Sequence, residues 1–198
     1  MLDAGTVAAA LGHLDALRQR AVGEREEAEP SLVTGPIEGD AFFRAIVADA
    51  RLVEVAATLL DGPVAAFGCT YVVKAARVGL PALWHQDGHP WRAGLGITEA
   101  VTLWIALDAA DAGNGCLRVV PGSHHQPARR LRPNRAERSI FGCEIDPGYV
   151  DAARALDVAL APGDLSAHHP SLVHSSEANR SERPRRALAL RYRAVPGG

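Results

Sequence analysis

The sequence has few of the features that mark specialised protein classes. Its three cysteines are widely spaced and form no Cys-x-x-Cys pair, so neither a disulfide framework nor a structural zinc site is indicated. No apolar run approaches the roughly 20 residues of a membrane-spanning helix, and the N-terminus lacks a signal-peptide pattern. The formal charge of -2 provides no basic field for nucleic acid or an anionic membrane. We therefore expect a soluble, cytoplasmic protein without such partners; its oligomeric state cannot be inferred from the sequence.

The length and composition predict one domain over residues 1–198. A chain of 198 residues with 47% hydrophobic residues can bury a sizeable core, and two domains would be small for this length. Lys74 is the single lysine among many arginines, and alanine is abundant, which indicates a bacterium with a GC-rich genome.

Residues 1–63 carry helical patterns. Apolar residues from Val7 to Leu17 recur at three- and four-residue spacing, which predicts an amphipathic helix between about Thr6 and Arg20. Asp40 is suited to cap a second helical region that stops at Gly62 and Pro63.

Residues 64–195 instead contain short β-branched and aromatic runs bounded by turn residues, which predict an antiparallel barrel or sandwich. The predicted strands contain Tyr71–Val73, Val101–Ile105, Cys116–Val120, Val158–Leu160 and Ala187–Tyr192. The connection 123–157 is rich in arginine, with a short helical pattern near Val150 to Leu156. Its length favours either a lid over a pocket or a charged surface excursion.

Residues Trp84–Trp91 concentrate metal-capable and aromatic side chains, with two histidines, one aspartate and two tryptophans. His85 and Asp87 are two residues apart, so on a strand both would point to one face and could chelate one ion. A third donor must come from a distant strand, and His174 is the candidate. The competing donors are His168 and His169.

Arg185 follows His174 by eleven residues and begins a strand-like run. A guanidinium beside a metal can pair in fork geometry with the far carboxylate of a metal-bound keto acid. Arg186 would face the opposite side of the same strand.

Several motifs, in this order and spacing, resemble the phytanoyl-CoA dioxygenase family of iron(II)- and 2-oxoglutarate-dependent oxygenases. Residues Trp84–Asp87 resemble the setting of the family's first two ligands. Residues Asn114–His124 are similar to its N-G-x-L-x-x-x-P-G-S-H signature, and His174–Ser181 to its H-x-S-x-x-N-x-S element. The resemblance implies a mainly β fold with flanking α-helices, namely a double-stranded β-helix (a jelly-roll, cupin-like barrel).

The resemblance also implies the site and its cofactors. His85, Asp87 and His174 would be the catalytic residues that bind Fe(II), with 2-oxoglutarate and O2 as co-substrates. Residues expected to hold 2-oxoglutarate are Arg185, Trp104 and Ser176, and residues expected to contact substrate are His89 and Trp91. The implied reaction hydroxylates or otherwise oxidises a small molecule, with release of succinate and CO2, and the expected setting is bacterial specialised metabolism. Alternatives are a non-oxidative metal-dependent isomerase or epimerase on the same barrel, and a non-catalytic binding protein.

Overall fold

The structure is a computed structural model that describes residues 1–22, 31–88, 94–134 and 138–195. The described residues contain three α-helices, α1 (Ala4–Val22), α2 (Ala41–Val47) and α3 (Ala50–Leu59). They also contain eleven strands: β1 (Leu32–Thr34), β2 (Val64–Lys74), β3 (Ala82–His85), β4 (Ala100–Ala106), β5 (Leu117–Val119), β6 (Leu131–Pro133), β7 (Cys143–Ile145), β8 (Leu156–Val158), β9 (Leu165–His168), β10 (His174–Ser176) and β11 (Arg185–Ala194).

The helices begin where side-chain caps are available. The Asp40 carboxylate accepts a hydrogen bond from the Phe43 backbone N–H at 2.9 Å and starts α2, as predicted. Asp49 caps α3 in the same manner, so the second helical region is two helices rather than one. Within the described ranges, no helix is both long and apolar enough to cross a bilayer.

The strands form two main antiparallel sheets. The five-stranded sheet has the order β1-β2-β11-β4-β9, and the four-stranded sheet has the order β3-β10-β5-β8. Strands β6 and β7 pair separately as a hairpin within residues 123–157. Two antiparallel sheets preceded by helices confirm the predicted mainly β, jelly-roll architecture.

Strand β4 is buried along its whole length because both of its faces are covered. Leu103 and alternate residues of β4 join the core formed with the helices, where Leu14, Phe43 and Leu52 are also buried. Trp104 lies on the other face and packs in a second cluster with residues of β5 and β11. The alternation along β4 therefore separates a helix-facing core from a face that looks between the sheets.

Some local predictions were wrong. The N-terminal part is not purely helical, because β1 pairs with β2 at the edge of the larger sheet. Strand β8 begins two residues earlier than predicted, because Leu156 already pairs with Val119. The helical pattern predicted near Val150 to Leu156 is therefore only a 3-10 turn, at Ala152–Arg154. Two of the three cysteines, Cys69 and Cys116, are buried, and Cys143 is partly buried.

Candidate active site

A cavity of about 140 Å³ lies between the two sheets. Its wall combines residues that are far apart in sequence, because the strands contributing them come from both sheets. The polar and charged side chains of the lining are Thr34, Thr70, His85, Asp87, Thr102, His168, His174, Ser175, Ser176, Arg185 and Arg191.

Three of these side chains form a compact donor group. His85 ends β3 and is the Cα partner of His174, which begins β10. The Asp87 Oδ1 atom lies 3.7 Å from His85 Nε2 and 3.8 Å from His174 Nε2. One potential ligand atom from each residue lies within 4.8 Å of the others, so the structure brings together the three residues predicted to bind metal.

Asp87 belongs to this donor group but does not lie on a strand, in contrast to the prediction. Strand β3 ends at His85, and Asp87 lies in the following turn rather than on the strand. The turn is fixed where the Gly88 N–H donates to the Pro170 carbonyl at 2.9 Å. A Cβ atom at Gly88 would lie only 3.0 Å from the Pro170 Cβ, so a larger residue would disturb this contact.

Both imidazoles are oriented for metal binding. His85 Nδ1 donates to the Leu83 carbonyl at 2.7 Å, and His174 Nδ1 donates to the Leu172 carbonyl at 2.9 Å. Each bond leaves Nε2 as the acceptor that points to the centre of the group. Burial lowers the pKa of His85 and lowers that of His174 to about 3, so both rings are neutral at physiological pH.

Asp87 supplies the negative charge of the group. Burial would raise its pKa, but the hydrogen bond from His168 and nearby positive charge hold that pKa well below its usual range. Two neutral imidazoles and one carboxylate on one side of a cavity are the donor set that suits a non-haem iron(II) with open coordination positions. The residues present therefore fit the implied metal.

His168 contacts the donor group through the Asp87 carboxylate. Its Nε2 lies 3.4 Å from Asp87 Oδ2, on the carboxylate oxygen opposite the one that faces His85 and His174. The Thr102 hydroxyl donates to the same Oδ2 at 3.3 Å. His169 Nδ1 accepts a hydrogen bond from the Ser171 backbone N–H, and the His169 ring lies near that of His124.

Arg185 lies on the cavity wall and is only 1% exposed. Its Nε donates to the Gly115 carbonyl at 3.1 Å and its Nη1 to the Val72 carbonyl at 3.3 Å. Its guanidinium carbon lies 5.3 Å from the centre of the Trp104 ring. Burial lowers the pKa of Arg185 to about 10, so the side chain remains a cation at neutral pH.

The neighbouring positions also behave as strand alternation requires. Arg186 faces away and forms an ion pair with Asp108 at 2.7 Å. Trp104 and Ser176 both line the cavity with Arg185. His89 and Trp91, the predicted substrate contacts, lie outside the described residues.

Lys74 has a structural position rather than a place in the cavity lining. Its Nζ atom lies within hydrogen-bond distance of three backbone carbonyls, those of Leu80, Ser176 and Glu177, at 2.6 to 3.2 Å. Burial lowers the pKa of Lys74 to about 6. Lys74 therefore joins β2 to the end of β10 and the residue that follows it.

The connection 123–157 covers part of the cavity. Its residues Ile140 and Phe141 line the wall, and the Phe141 ring lies 4.8 Å from that of His85. Gln86 faces away from the donor group and ties this connection down: its side chain donates to the Ser171 carbonyl and accepts from the Arg129 N–H. Sequence patterns gave no signal for Phe141.

Arg191 is a further cationic residue of the cavity that was not identified from sequence. The alternation that starts at Arg185 would have found it, since residues 185, 187, 189 and 191 share one face of a strand.

Comparison with known proteins identifies relatives over most of the chain. A family model described as Phytanoyl-CoA dioxygenase (PhyH) matches residues 2–187. L-proline trans-4-hydroxylase from Streptomyces griseoviridis is 32% identical over 209 residues, which cover 90% of this chain and 77% of that enzyme. The chain spans only 29–43% of the length of seven further curated relatives.

Solved structures share the fold. The non-heme monooxygenase ThoJ has a TM-score of 0.78 and 26% identity, covering 98% of this chain and 71% of its own. The epimerase SnoN, solved with Fe3+, alpha-ketoglutarate and nogalamycin RO, has a TM-score of 0.70 and 25% identity, covering 97% of this chain and 75% of its own.

Proposed function

This chain belongs to the phytanoyl-CoA dioxygenase family, and on that premise we propose that it is an iron(II)- and 2-oxoglutarate-dependent oxygenase acting on a small molecule. The observation that carries the proposal is the joint presence of the donor group and a buried arginine in one cavity. A structural metal site would not need Arg185 beside open coordination positions.

His85, Asp87 and His174 hold the iron in this proposal, each through one atom. The Nδ1 bonds of the two histidines to backbone carbonyls keep Nε2 directed at the ion. When bound, iron and 2-oxoglutarate would activate O2, the oxidant: one oxygen atom would enter succinate as 2-oxoglutarate loses CO2, and the other would supply the oxidation of a substrate C–H bond.

Arg185 binds the distal carboxylate of 2-oxoglutarate. Its two bonds to backbone carbonyls fix the plane of the guanidinium, while its other donors remain available for a charge-assisted contact. Trp104 supports the guanidinium from one side, and Ser176 offers a hydroxyl on the same wall. Phe141 and Ile140, from the connection proposed as a lid, exclude water near His85.

The substrate is a small molecule, and the type of oxidation depends on how it is placed. Proline hydroxylation is the activity named for one relative, and epimerisation is named for one structural neighbour. A role in bacterial specialised metabolism is the wider context that we propose.

The decisive experiment adds Fe(II) and 2-oxoglutarate without oxygen and follows the visible absorption band of their chelate. Admission of oxygen should then release succinate. His85→Ala and Asp87→Ala should abolish both signals because each removes one ligand from the ion. His125→Ala is the matched control, since His125 is exposed and outside the cavity lining.

Arg185→Ala should raise the 2-oxoglutarate concentration needed for the band, whereas Arg186→Ala, on the opposite face, should not. The reverse pattern would show that the strand register is wrong for this role. Absence of both band and succinate in the native protein would reject the oxygenase, and substrate conversion without oxygen would favour a non-oxidative isomerase.

A further inference from the structure

Lys74 is the only lysine of the chain, and it is completely buried at the end of β2. A lysine without exposed surface is rare, because its amine must exchange water for acceptors of the protein. Its Nζ atom lies 2.7 Å from the Leu80 carbonyl oxygen, 3.2 Å from that of Ser176 and 2.6 Å from that of Glu177. Since β2 belongs to the larger sheet and Ser176 ends β10 of the smaller sheet, Lys74 links the two sheets.

Lys74 also lies beside Arg185 in the larger sheet. The two residues are Cα partners on the antiparallel strands β2 and β11. The carbonyl of Val72, two residues earlier on β2, accepts a hydrogen bond from Arg185 Nη1 at 3.3 Å. The end of β2 therefore borders the guanidinium that is proposed to bind the distal carboxylate of 2-oxoglutarate.

Gly115 connects the contacts of Lys74 to those of Arg185. Its carbonyl accepts a hydrogen bond from Arg185 Nε at 3.1 Å. A Cβ atom at Gly115 would lie 3.0 Å from Lys74 Cδ and would collide with the Glu177 carbonyl oxygen, which is one of the three acceptors around Lys74 Nζ. Gly115 is therefore packed against the lysine stem and against a carbonyl that the lysine contacts, so the position of the Gly115 carbonyl depends on both.

The contacts of Lys74 also reach the cavity wall at Ser176. The Ser176 side chain lines the cavity together with that of Arg185, while its backbone carbonyl is near Lys74 Nζ. Loss of the donor to a buried carbonyl is destabilising. Without the lysine amine, the backbone at Ser176 and Glu177 would therefore move to find other partners, and the neighbouring wall would move with it.

We propose that Lys74 is a positioning residue for the end of the site that binds the distal carboxylate of 2-oxoglutarate. Its Nζ atom holds the carbonyls of Ser176 and Glu177 in place. Gly115 packs against that backbone, and the Gly115 carbonyl fixes the plane of the Arg185 guanidinium. Lys74 is not part of the cavity lining, so its effect is indirect. This inference rests on the proposed oxygenase function and deepens it.

The test compares two keto acids that present the same chelating groups to the metal. The second acid, 2-oxovalerate, has the keto group, the C1 carboxylate and the carbon chain of 2-oxoglutarate but lacks the distal carboxylate. Anaerobic titration of the Fe(II)-loaded protein, followed by the chelate band, gives a Kd for each acid. Lys74→Met keeps the length of the side chain and removes its donors. We expect the Kd of 2-oxoglutarate to rise roughly 10-fold and that of 2-oxovalerate to stay within about twofold, because only 2-oxoglutarate uses Arg185.

Tyr192→Phe is the matched control on the strand that carries Arg185. Tyr192 is also buried, and its hydroxyl donates to the Val47 carbonyl at 3.0 Å in the core formed with the helices. Removal of this donor should lower thermal stability, as Lys74→Met does, but should change neither Kd. The control therefore separates the loss of a buried hydrogen bond from the loss of a positioned Arg185.

A second measurement uses the native protein and decides the question if Lys74→Met does not fold. Because the chain has a single lysine, isotopic labelling of lysine nitrogen gives one side-chain Nζ resonance in an NMR spectrum. Zn(II), which has a filled d shell, replaces Fe(II) as a diamagnetic ion. The resonance should move when 2-oxoglutarate binds and should move much less when 2-oxovalerate binds, since only the first acid engages Arg185 beside Lys74.

Three results would overturn the inference. The first is a Lys74→Met variant that binds both acids as the native protein does, or that weakens both equally. The second is a Tyr192→Phe variant with the same selective loss of 2-oxoglutarate. The third is a native Nζ resonance that 2-oxoglutarate does not move, or that both acids move alike. In each case a chelate band in the native protein leaves the proposed function standing, whereas absence of the band with both acids would refute that function.

Discussion

Replacement of Thr102 by valine tests how Asp87 is held for metal binding. The Asp87 Oδ1 atom faces the two histidines, while its Oδ2 accepts from Thr102 at 3.3 Å and from His168 at 3.4 Å. Valine has nearly the shape of threonine but no hydroxyl. Thr102 is 1% exposed, so water has little access to replace the lost donor.

The expected magnitude follows from the length of the lost bond. A hydrogen bond to a charged group contributes about 1.5–3 kcal/mol at good geometry, and 3.3 Å is long for such a bond, so we expect about 1–2 kcal/mol. This loss corresponds to iron(II) binding weakened roughly 5- to 30-fold, within the range seen when the outer partners of metal ligands are removed.

The assay is an anaerobic Fe(II) titration at saturating 2-oxoglutarate that follows the chelate band. Thr102→Ser keeps the hydroxyl and should restore most of the affinity, and the exposed Thr98→Val provides a matched control. Native affinity in Thr102→Val, or an equal loss in Thr102→Ser, would show that the hydroxyl does not position Asp87. Thermal unfolding of the metal-free variants separates this effect from loss of the fold.

Two further predictions concern the helical layer and the connection over the cavity. Asp40→Ala should lower the free energy of unfolding by about 1–2 kcal/mol, because it removes the cap on Phe43 and the partner of His13, measured by chemical denaturation. Burial raises the pKa of Asp40, but hydrogen bonds from the Phe43 N–H and His13 outweigh burial and hold that pKa below its ordinary value of 3.8. The stability that the Asp40 carboxylate contributes is therefore fully present above pH 3.8. The difference in the free energy of unfolding between Asp40→Ala and the native protein should shrink as the pH falls through the folded-state pKa. Phe141→Ala should leave iron(II) affinity within about twofold but increase succinate release without substrate, since it uncovers His85; unchanged uncoupled turnover would contradict a lid role.

Much of the fold was predictable because its signals are local. The strand runs carry β-branched residues between turns, and strand residues recur on alternate faces. Turn chemistry was equally informative at Gly115, which adopts a φ of +80° and whose Cβ would collide with the Glu177 carbonyl oxygen. That close approach explains why a glycine follows Asn114. Strand β1 was missed because three residues pairing at a sheet edge leave almost no pattern.

The site was predictable where it depends on family motifs and unpredictable where it depends on register. His85, Asp87 and His174 stand in motifs that resemble those of known relatives, so their proximity could be expected. Strand pairing across the larger sheet instead places Thr102 between His168 and Arg191, and neither pairing follows from spacing along the chain. His168 therefore appeared from sequence only as a competing ligand, although its contact with Asp87 Oδ2 makes it a neighbour of the donor group.

This difference explains why the metal was easier to infer than the substrate. The donors for iron come from the ends of two paired strands and one adjoining turn. The wall that would contact substrate combines side chains of β1, β2 and β11 with Phe141 of the connection 123–157, and each depends on a separate tertiary contact. Arg191 shows how far a local pattern reaches into this wall. The strand alternation that places Arg185 in the cavity also places Arg191 there, near the Asp87 carboxylate.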